Sequence, residues 1–393
     1  MNSGDIHRSD KGLGKMMKYM TAGAALLLTT TAATAGGIDR SSQFLGPLFE
    51  EGGESGSYVQ LGFGRIAPSA EASNLGVSDP LGSYNAINLA YKTDITEDLS
   101  IALIVEEPYG ADIRYDLNSV FGGGGASVSS EQFSAILRYK IDQNWSVIGG
   151  IRAVQVDGFI DTFTFAFPGN PGMATPISVT ADSDLAFSGV AGVAYERPEI
   201  ALRIALSYNS GANADFEGTE SIFTDPTRST AALSGDTAFS VDFPESINLE
   251  FQTGVAENTL VFGSIRHSFY DGFELVTPPN AALLGLGTNF VNFTSDSTTY
   301  NLGVGRRFSD NWSGSVSYTY ESEGTIPSTT ALSPTTGVSG INLGVQYEQD
   351  AFTIGGGISY LVPGDQLVNS SVGQADFNDN EAIATGIRIG YNF

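Results

Sequence analysis

Along Ala382–Phe393 the side chains alternate strictly. Phe393, Tyr391, Ile389, Ile387 and Ile383 share one parity, with Thr385 its only polar member, and Asn392, Gly390, Arg388, Gly386 and Ala384 share the other. A period of two sends successive side chains to opposite faces, so the stretch predicts a strand with one apolar and one polar or small face. The pattern begins at Tyr58 and recurs to the end of the chain, giving fourteen segments, among them Leu99–Leu117, Trp145–Phe167, Ile177–Tyr195, Thr259–Val276 and Asn289–Phe308. Connections after even-numbered segments are short (Asp142–Asn144, Ala256–Asn258, Glu348–Asp350); those after odd-numbered ones are mostly long (Ser69–Gly82, Pro168–Pro176, Glu217–Gly235, Pro363–Asn380). Short turns at one end and long loops at the other, on an even number of strands, predict an all-β fold: a 14-stranded antiparallel transmembrane β-barrel spanning residues 57–393. Parity then sets the faces. Ile247, Leu249 and Phe251 point outward and Asn248, Glu250 and Gln252 inward, and Trp145, Trp312, Tyr347 and Tyr391 lie near strand ends as an interfacial girdle does.

What precedes the strands divides in two. Met1–Ala35 has a basic start (Arg8, Lys11, Lys15, Lys18), an apolar run at Met20–Leu28 and small residues at Ala33-Thr34-Ala35, the pattern of a cleaved secretory signal. Thr29–Thr31 cut the apolar run too short for a membrane anchor. Residues 36–56 show neither alternation nor a long helical period, but Phe44, Leu45, Leu48 and Phe49 can form one apolar cluster. That composition suits a short hatch inside the barrel lumen; the alternative is a disordered leader.

Composition narrows the function. The chain has no cysteine and two histidines, His7 and His267, which removes thiolate and histidine-rich metal sites, and no cofactor is expected. The net charge is −26, and −28 once Met1–Ala35 is removed, so nucleic acid is not a partner. A strand-borne serine–histidine dyad needs a spacing of two, yet Phe269 stands there and Ser268 points to the opposite face from His267, so no enzyme is expected. Arg138, Arg152, Arg203, Arg266, Arg307 and Arg388 all have lumen parity. Arg138, Arg152 and Arg203 are candidates to hold a ligand carboxylate, and wall salt bridges are the alternative. At the loop end Phe163, Phe165 and Phe167 share one parity, and Leu283 and Leu284 lie in a long loop; they suit either capture of a hydrophobic ligand or loop-to-loop packing. Pro108 with Gly110 interrupts Glu106–Asp112, and proline in a central strand removes a ladder donor, which predicts either a bulge or a side opening toward lipid.

Together the fourteen segments, the hatch-like start G-G-I-D-R-S-S-Q…F-E-E-G, the P-Y-G of strand three and the F-P-E-S-I-N-L of strand eight resemble the long-chain fatty acid transporters of the bacterial outer membrane, the FadL/TodX group. The resemblance implies capture of long-chain fatty acids or similar apolar molecules between outer loops, passage to a lumenal pocket that Phe44, Leu45, Leu48 and Phe49 would line or gate, and lateral exit at Pro108 and Gly110. The short turns of such barrels are periplasmic, which places both termini there, and the outward parity faces outer-membrane lipid; the resemblance further implies that Phe393 signals to the barrel-assembly machinery. The family's N-P-A hatch sequence is absent, and this hatch is shorter. A general porin for small polar solutes is the competing expectation; it requires a water-filled lumen without a plug.

Overall fold

The alternating segments form fourteen wall strands. They are β1 Ser57–Ser69, β2 Tyr84–Asp94, β3 Leu99–Glu106 resuming as Ala111–Arg114, β4 Gly125–Lys140 and β5 Trp145–Phe167. Next come β6 Asn170–Ser183 and Ala186–Arg197, β7 Leu202–Asn209 and Ala212–Phe223, β8 Ala231–Phe243 and Ser246–Ala256, and β9 Thr259–Ser268. The wall ends with β10 Ser297–Arg307, β11 Trp312–Glu321, β12 Thr336–Gln349, β13 Phe352–Gly364 and β14 Glu381–Asn392. The computed structural model describes residues 38–167, 170–225, 227–275, 290–326, 328, 330–370 and 372–393, those within 163–174 by backbone only. The expected signal Met1–Ala35 and the loop residues Leu283 and Leu284 lie outside these.

Each strand pairs antiparallel with its sequence neighbours, and β14 returns to β1 from Tyr58↔Asn392 to Ser69↔Glu381. Closure removes the exposed edges that an open sheet would present. The outward parity carries exposed Leu61, Phe63, Leu206, Leu302, Leu343, Ile387 and Ile389, a continuous apolar band. At the short-turn end aromatic pairs rim the band: Trp145 with Tyr195, Trp312 with Tyr347, and Phe352 with Tyr391. Phe393 seals the first strand there, its amide donating to the Ser57 carbonyl at 2.9 Å and its ring stacking on Tyr391.

The loop end departs from the expected strand limits. β5 runs to Phe167 and β6 starts at Asn170, so the long loop expected at Pro168–Pro176 is mostly strand. Likewise β7 and β8 extend into Glu217–Gly235. Conversely, β9 stops at Ser268 and β10 starts at Ser297, with a small Glu274–Leu275/Val291–Asn292 hairpin between them. Beyond the apolar band the outward face meets water while inward Ile177, Val179 and Ile222 stay buried, so apolar alternation no longer marks where a strand ends. A second hairpin, Gln366–Ser370 with Gly373–Phe377, packs Val368, Ala375 and Phe377 against Ile113, Tyr115 and Phe121, joining the loops to one another.

Candidate functional site

The hatch enters the lumen at the short-turn end and runs up to Ile38. Pro47 presets the backbone of a 3-10 turn at Gly46–Phe49. That turn packs Leu45, Leu48 and Phe49 against inward Ala90, Ala102, Ile104, Ile136, Ile148, Val190, Ala194 and Ala205. Alanine at four of these wall positions leaves room for the hatch. Phe44 turns the other way, into a cavity of about 240 Å³ that it lines with Glu50, Gln60, Asn88, Arg203, Glu250 and Arg388.

Polar anchors hold the rest of the hatch. Asp39 receives Arg266 Nε at 2.9 Å, Ser268 Oγ at 3.1 Å and Tyr270 OH at 2.8 Å. Arg266 also donates to the Ser42 carbonyl at 3.2 Å, to Ser246 Oγ and to Asn248 Oδ1. Asn248 Nδ2 donates to the same Ser42 carbonyl at 3.0 Å, and Leu45 N donates to Glu250 at 2.9 Å. Ser41 Oγ donates to Glu106. Buried donors and acceptors that satisfy one another in this way specify one seating of the segment.

The three arginines singled out as carboxylate candidates have different surroundings. Arg152 is buried and donates to Gln43, through Nη1 to its side chain and through Nη2 to its carbonyl at 3.1 Å. Arg138 pairs with Glu196, donates to Ser146 Oγ at 3.0 Å and lies 4.6 Å over the Phe49 ring. Arg203 also lies 4.6 Å over Phe49, and alone of the three it lines the polar cavity. Arg266, whose lumen parity was legible, is the principal hatch anchor, a role that sequence reasoning missed. His267 faces away from Ser268, within 2.7 Å of Thr298 Oγ1.

Within β3 the ladder breaks where Pro108 and Gly110 stand. On the β4 side Glu106 faces Gln132 and Ala111 faces Val128, so four residues oppose three. On the β2 side pairing ends at Leu89↔Val105 and returns only at the Leu81↔Ile113 bridge. The intervening β3 backbone pairs with the hatch instead: Arg40 N donates to the Pro108 carbonyl and Gly110 N to the Ile38 carbonyl, both at 2.8 Å. The result is a window between β2 and β3 with Arg40 lying in it, 4.1 Å above the Tyr84 ring. Gly110 leaves room for this approach, since a Cβ there would stand 2.3 Å from Arg40 Nε and displace that side chain. The bulge also throws Tyr109 inward, where it stacks on Phe243 at 4.6 Å.

Above the hatch lies a second cavity of about 110 Å³, lined by Ile38, Val156, Phe159, Phe216, Phe239, Val241, Phe243, Phe273, Phe290, Phe293 and Leu332, with Asp157 its only ionisable residue among the described residues. Sequence reasoning did not single out these residues; the available signal was aromatic side chains on lumen parity at Phe216 and Phe243. Phe163, Phe165 and Phe167 are on the loop end of β5, with a register shift between Thr164 and Ala166.

Comparison with known proteins agrees with this geometry. No curated protein matches the sequence. Among solved structures, a Pseudomonas aeruginosa FadL homologue superposes with a TM-score of 0.74 at 13% identity, covering 88% of this chain and 92% of that one. The Pseudomonas putida toluene transporter TodX gives 0.66 at 13% identity over 92% and 96%. The Ralstonia pickettii toluene transporter TbuX gives 0.62 at 14% identity over 88% and 91%. At these identities the likeness is one of fold. Residues 72–393 match the model of the outer membrane protein transport protein family (OMPP1/FadL/TodX), and the chain belongs to that family of outer-membrane transporters of hydrophobic compounds.

Proposed function

We propose that the chain is a passive uptake channel for long-chain fatty acids or other hydrophobic compounds, with its loop end outward and both termini in the periplasm. The apolar cavity seated on a plugged lumen carries this reading. A ligand is caught at the loops, where Phe163, Phe165, Phe167, Leu283 and Leu284 stay candidates, and settles in the cavity. It leaves through the window at Pro108 and Gly110 when Arg40 moves aside with the hatch. Burial of apolar surface supplies the driving force, at about 25 cal/mol per Å². Met1–Ala35 directs export, and Phe393 is the contact for barrel assembly.

Ligand size follows from the cavity. An apolar cavity of about 150 Å³ stays dry and takes benzene, so 110 Å³ suits one aromatic ring or a short piece of acyl chain. Solved structures of similar fold include toluene transporters and a monoaromatic hydrocarbon channel, which favours a neutral ring. If the cargo is a fatty acid, Arg203 is the candidate for its carboxylate in the polar cavity below, in competition with Glu50 and Glu250. The test is equilibrium binding of labelled toluene. Phe243→Ala removes a ring from the cavity wall and is expected to weaken binding about tenfold, from about 1.5 kcal/mol of lost contact. Undiminished binding would remove the cavity from the route. A general porin instead requires high, steady conductance from the wild-type protein in a planar bilayer; the hatch packed across the lumen argues against it.

Hatch seating should also depend on pH. Lumen burial raises the Glu50 carboxyl above the usual carboxylate range, with Arg388 and Arg203 opposing the shift. The seated hatch therefore favours the neutral acid, and seating weakens as pH rises from the ordinary carboxylate range up to the raised value. Protease cleavage at Gly52–Gly53 should accelerate over that interval, and Glu50→Gln should flatten the profile.

A further inference from the structure

The wall has another interruption, between β6 and β7. The two strands keep one register on both sides of it, with Val190 facing Asn209 below and Ser183 facing Phe216 above. Between these pairs no ladder joins Leu185–Ser188 to Gly211–Ala214. The gap is bounded by bonds from Asp184 N to the Asp215 carbonyl at 2.8 Å and from Ser210 N to the Gly189 carbonyl at 2.9 Å.

Pleat phase explains the gap. In β6 the alternation slips between Asp184 and Leu185, which are both exposed; in β7 it slips between Ser210 and Gly211, which are both half-buried. The slips stand at opposite ends of the interruption. Between them exposed Phe187 comes opposite buried Ala212, and buried Ala186 opposite exposed Asn213. Strands whose pleats are out of phase cannot continue a ladder. The seam runs for roughly 16 Å, at ~3.3 Å per residue.

Open backbone at membrane depth is tolerated where it is buried in protein or lines a cavity. Here it backs onto the apolar cavity. The side chains behind the seam are Ala186, Ala212 and Ala214, in the same packed cluster as the cavity-lining Val156, Phe216, Val241, Phe243 and Phe273. In front of it Leu185 and Phe187 are 53% and 63% exposed. The inward positions along the seam are thus alanines, packed in one cluster with the cavity-lining rings. The rim toward the loops carries exposed Asp182, Asp184, Asp215 and Asp242. The basic residues of β5–β8 lie elsewhere, Arg152 and Arg203 in the lumen and Arg197 at the short turns. Such a rim repels anions.

We propose that the β6–β7 seam is a side entrance through which neutral apolar compounds dissolved in the loop-end leaflet reach the aromatic cavity. The proposal rests on the reading of that cavity as the ligand site. Because the chain has no cysteine, cysteine pairs report unambiguously. Phe187→Cys with Asn213→Cys, joined by a short bis-maleimide, staples the seam. Ala191→Cys with Tyr208→Cys, a true ladder pair lower on the same strands, is the control. Both are reconstituted in vesicles of outer-membrane lipid, with folding checked by heat-modifiable mobility, and tested for uptake of labelled toluene before and after the reagent. Uptake should fall about tenfold on stapling the seam and stay unchanged on stapling the control. Equal uptake before and after, or an equal fall in both pairs, overturns the proposal. If the wild-type protein itself takes up no toluene, the ligand-site reading fails and takes this inference with it.

Discussion

Arg266→Ala should turn the plugged barrel into a leaking one. Arg266 is buried and joins the Asp39 carboxylate, the Ser42 carbonyl, Ser246 and Asn248 in one network, so its loss removes the hatch's principal anchor. Asp39 would keep its bonds from Ser268 and Tyr270 but lose the buried guanidinium, and breaking a buried ion pair by removing one partner costs about 3–5 kcal/mol. The cheapest relief is for the segment around Asp39 to leave its seat, because the closed wall does not depend on it. Single-channel conductance in a planar bilayer should rise above wild type, and the hatch should become open to protease while the barrel keeps its heat-modifiable mobility. Asp39→Asn should do less, since Arg266 still has three uncharged acceptors. Wild-type conductance from Arg266→Ala would mean that the apolar docking of Leu45, Leu48 and Phe49 suffices to hold the hatch.

What could be read from the residues alone divides along physical lines. Strand count, faces and closure follow from a period-two signal that the lipid-facing band imposes on every strand, as Ile383–Phe393 illustrates. The break in β3 was visible because proline lacks an amide, a chemical fact independent of tertiary context. Lumen parity of Arg152 and Arg266 was visible too, but their partner was not. Gln43 lies 109 residues from Arg152, and Asp39 lies 227 from Arg266. Nothing local distinguishes an arginine that anchors a hatch from one that waits for a carboxylate. The β6–β7 slips were hidden for another reason: Asp184-Leu185 and Ser210-Gly211 each fit an unbroken alternation nearly as well, and only the neighbouring strand reveals that the phases disagree.

The window in β3 gives the other large expected effect, because it can be blocked from the wall rather than from the hatch. Arg40 fills the window now, yet it belongs to the hatch and would leave with it on the proposed route, whereas Gly110 lies in the bulge of the wall strand itself. In Gly110→Trp the new Cβ stands 2.3 Å from the present position of Arg40 Nε, so the indole takes the place of the guanidinium and cannot leave with the hatch. Uptake of labelled toluene should fall about tenfold or more, a barrier increase of at least ~1.4 kcal/mol. Binding in the aromatic cavity should persist, since Phe216, Phe243 and Phe273 are untouched. Arg40→Ala makes the opposite change: it empties the window without altering β3, and uptake should hold or rise. The two variants together separate an exit at the window from a merely structural bulge. A bulge that serves only to turn Tyr109 inward leaves uptake intact in Arg40→Ala, and in Gly110→Trp as well. Loss in Gly110→Trp alone, with binding retained, places the exit between β2 and β3.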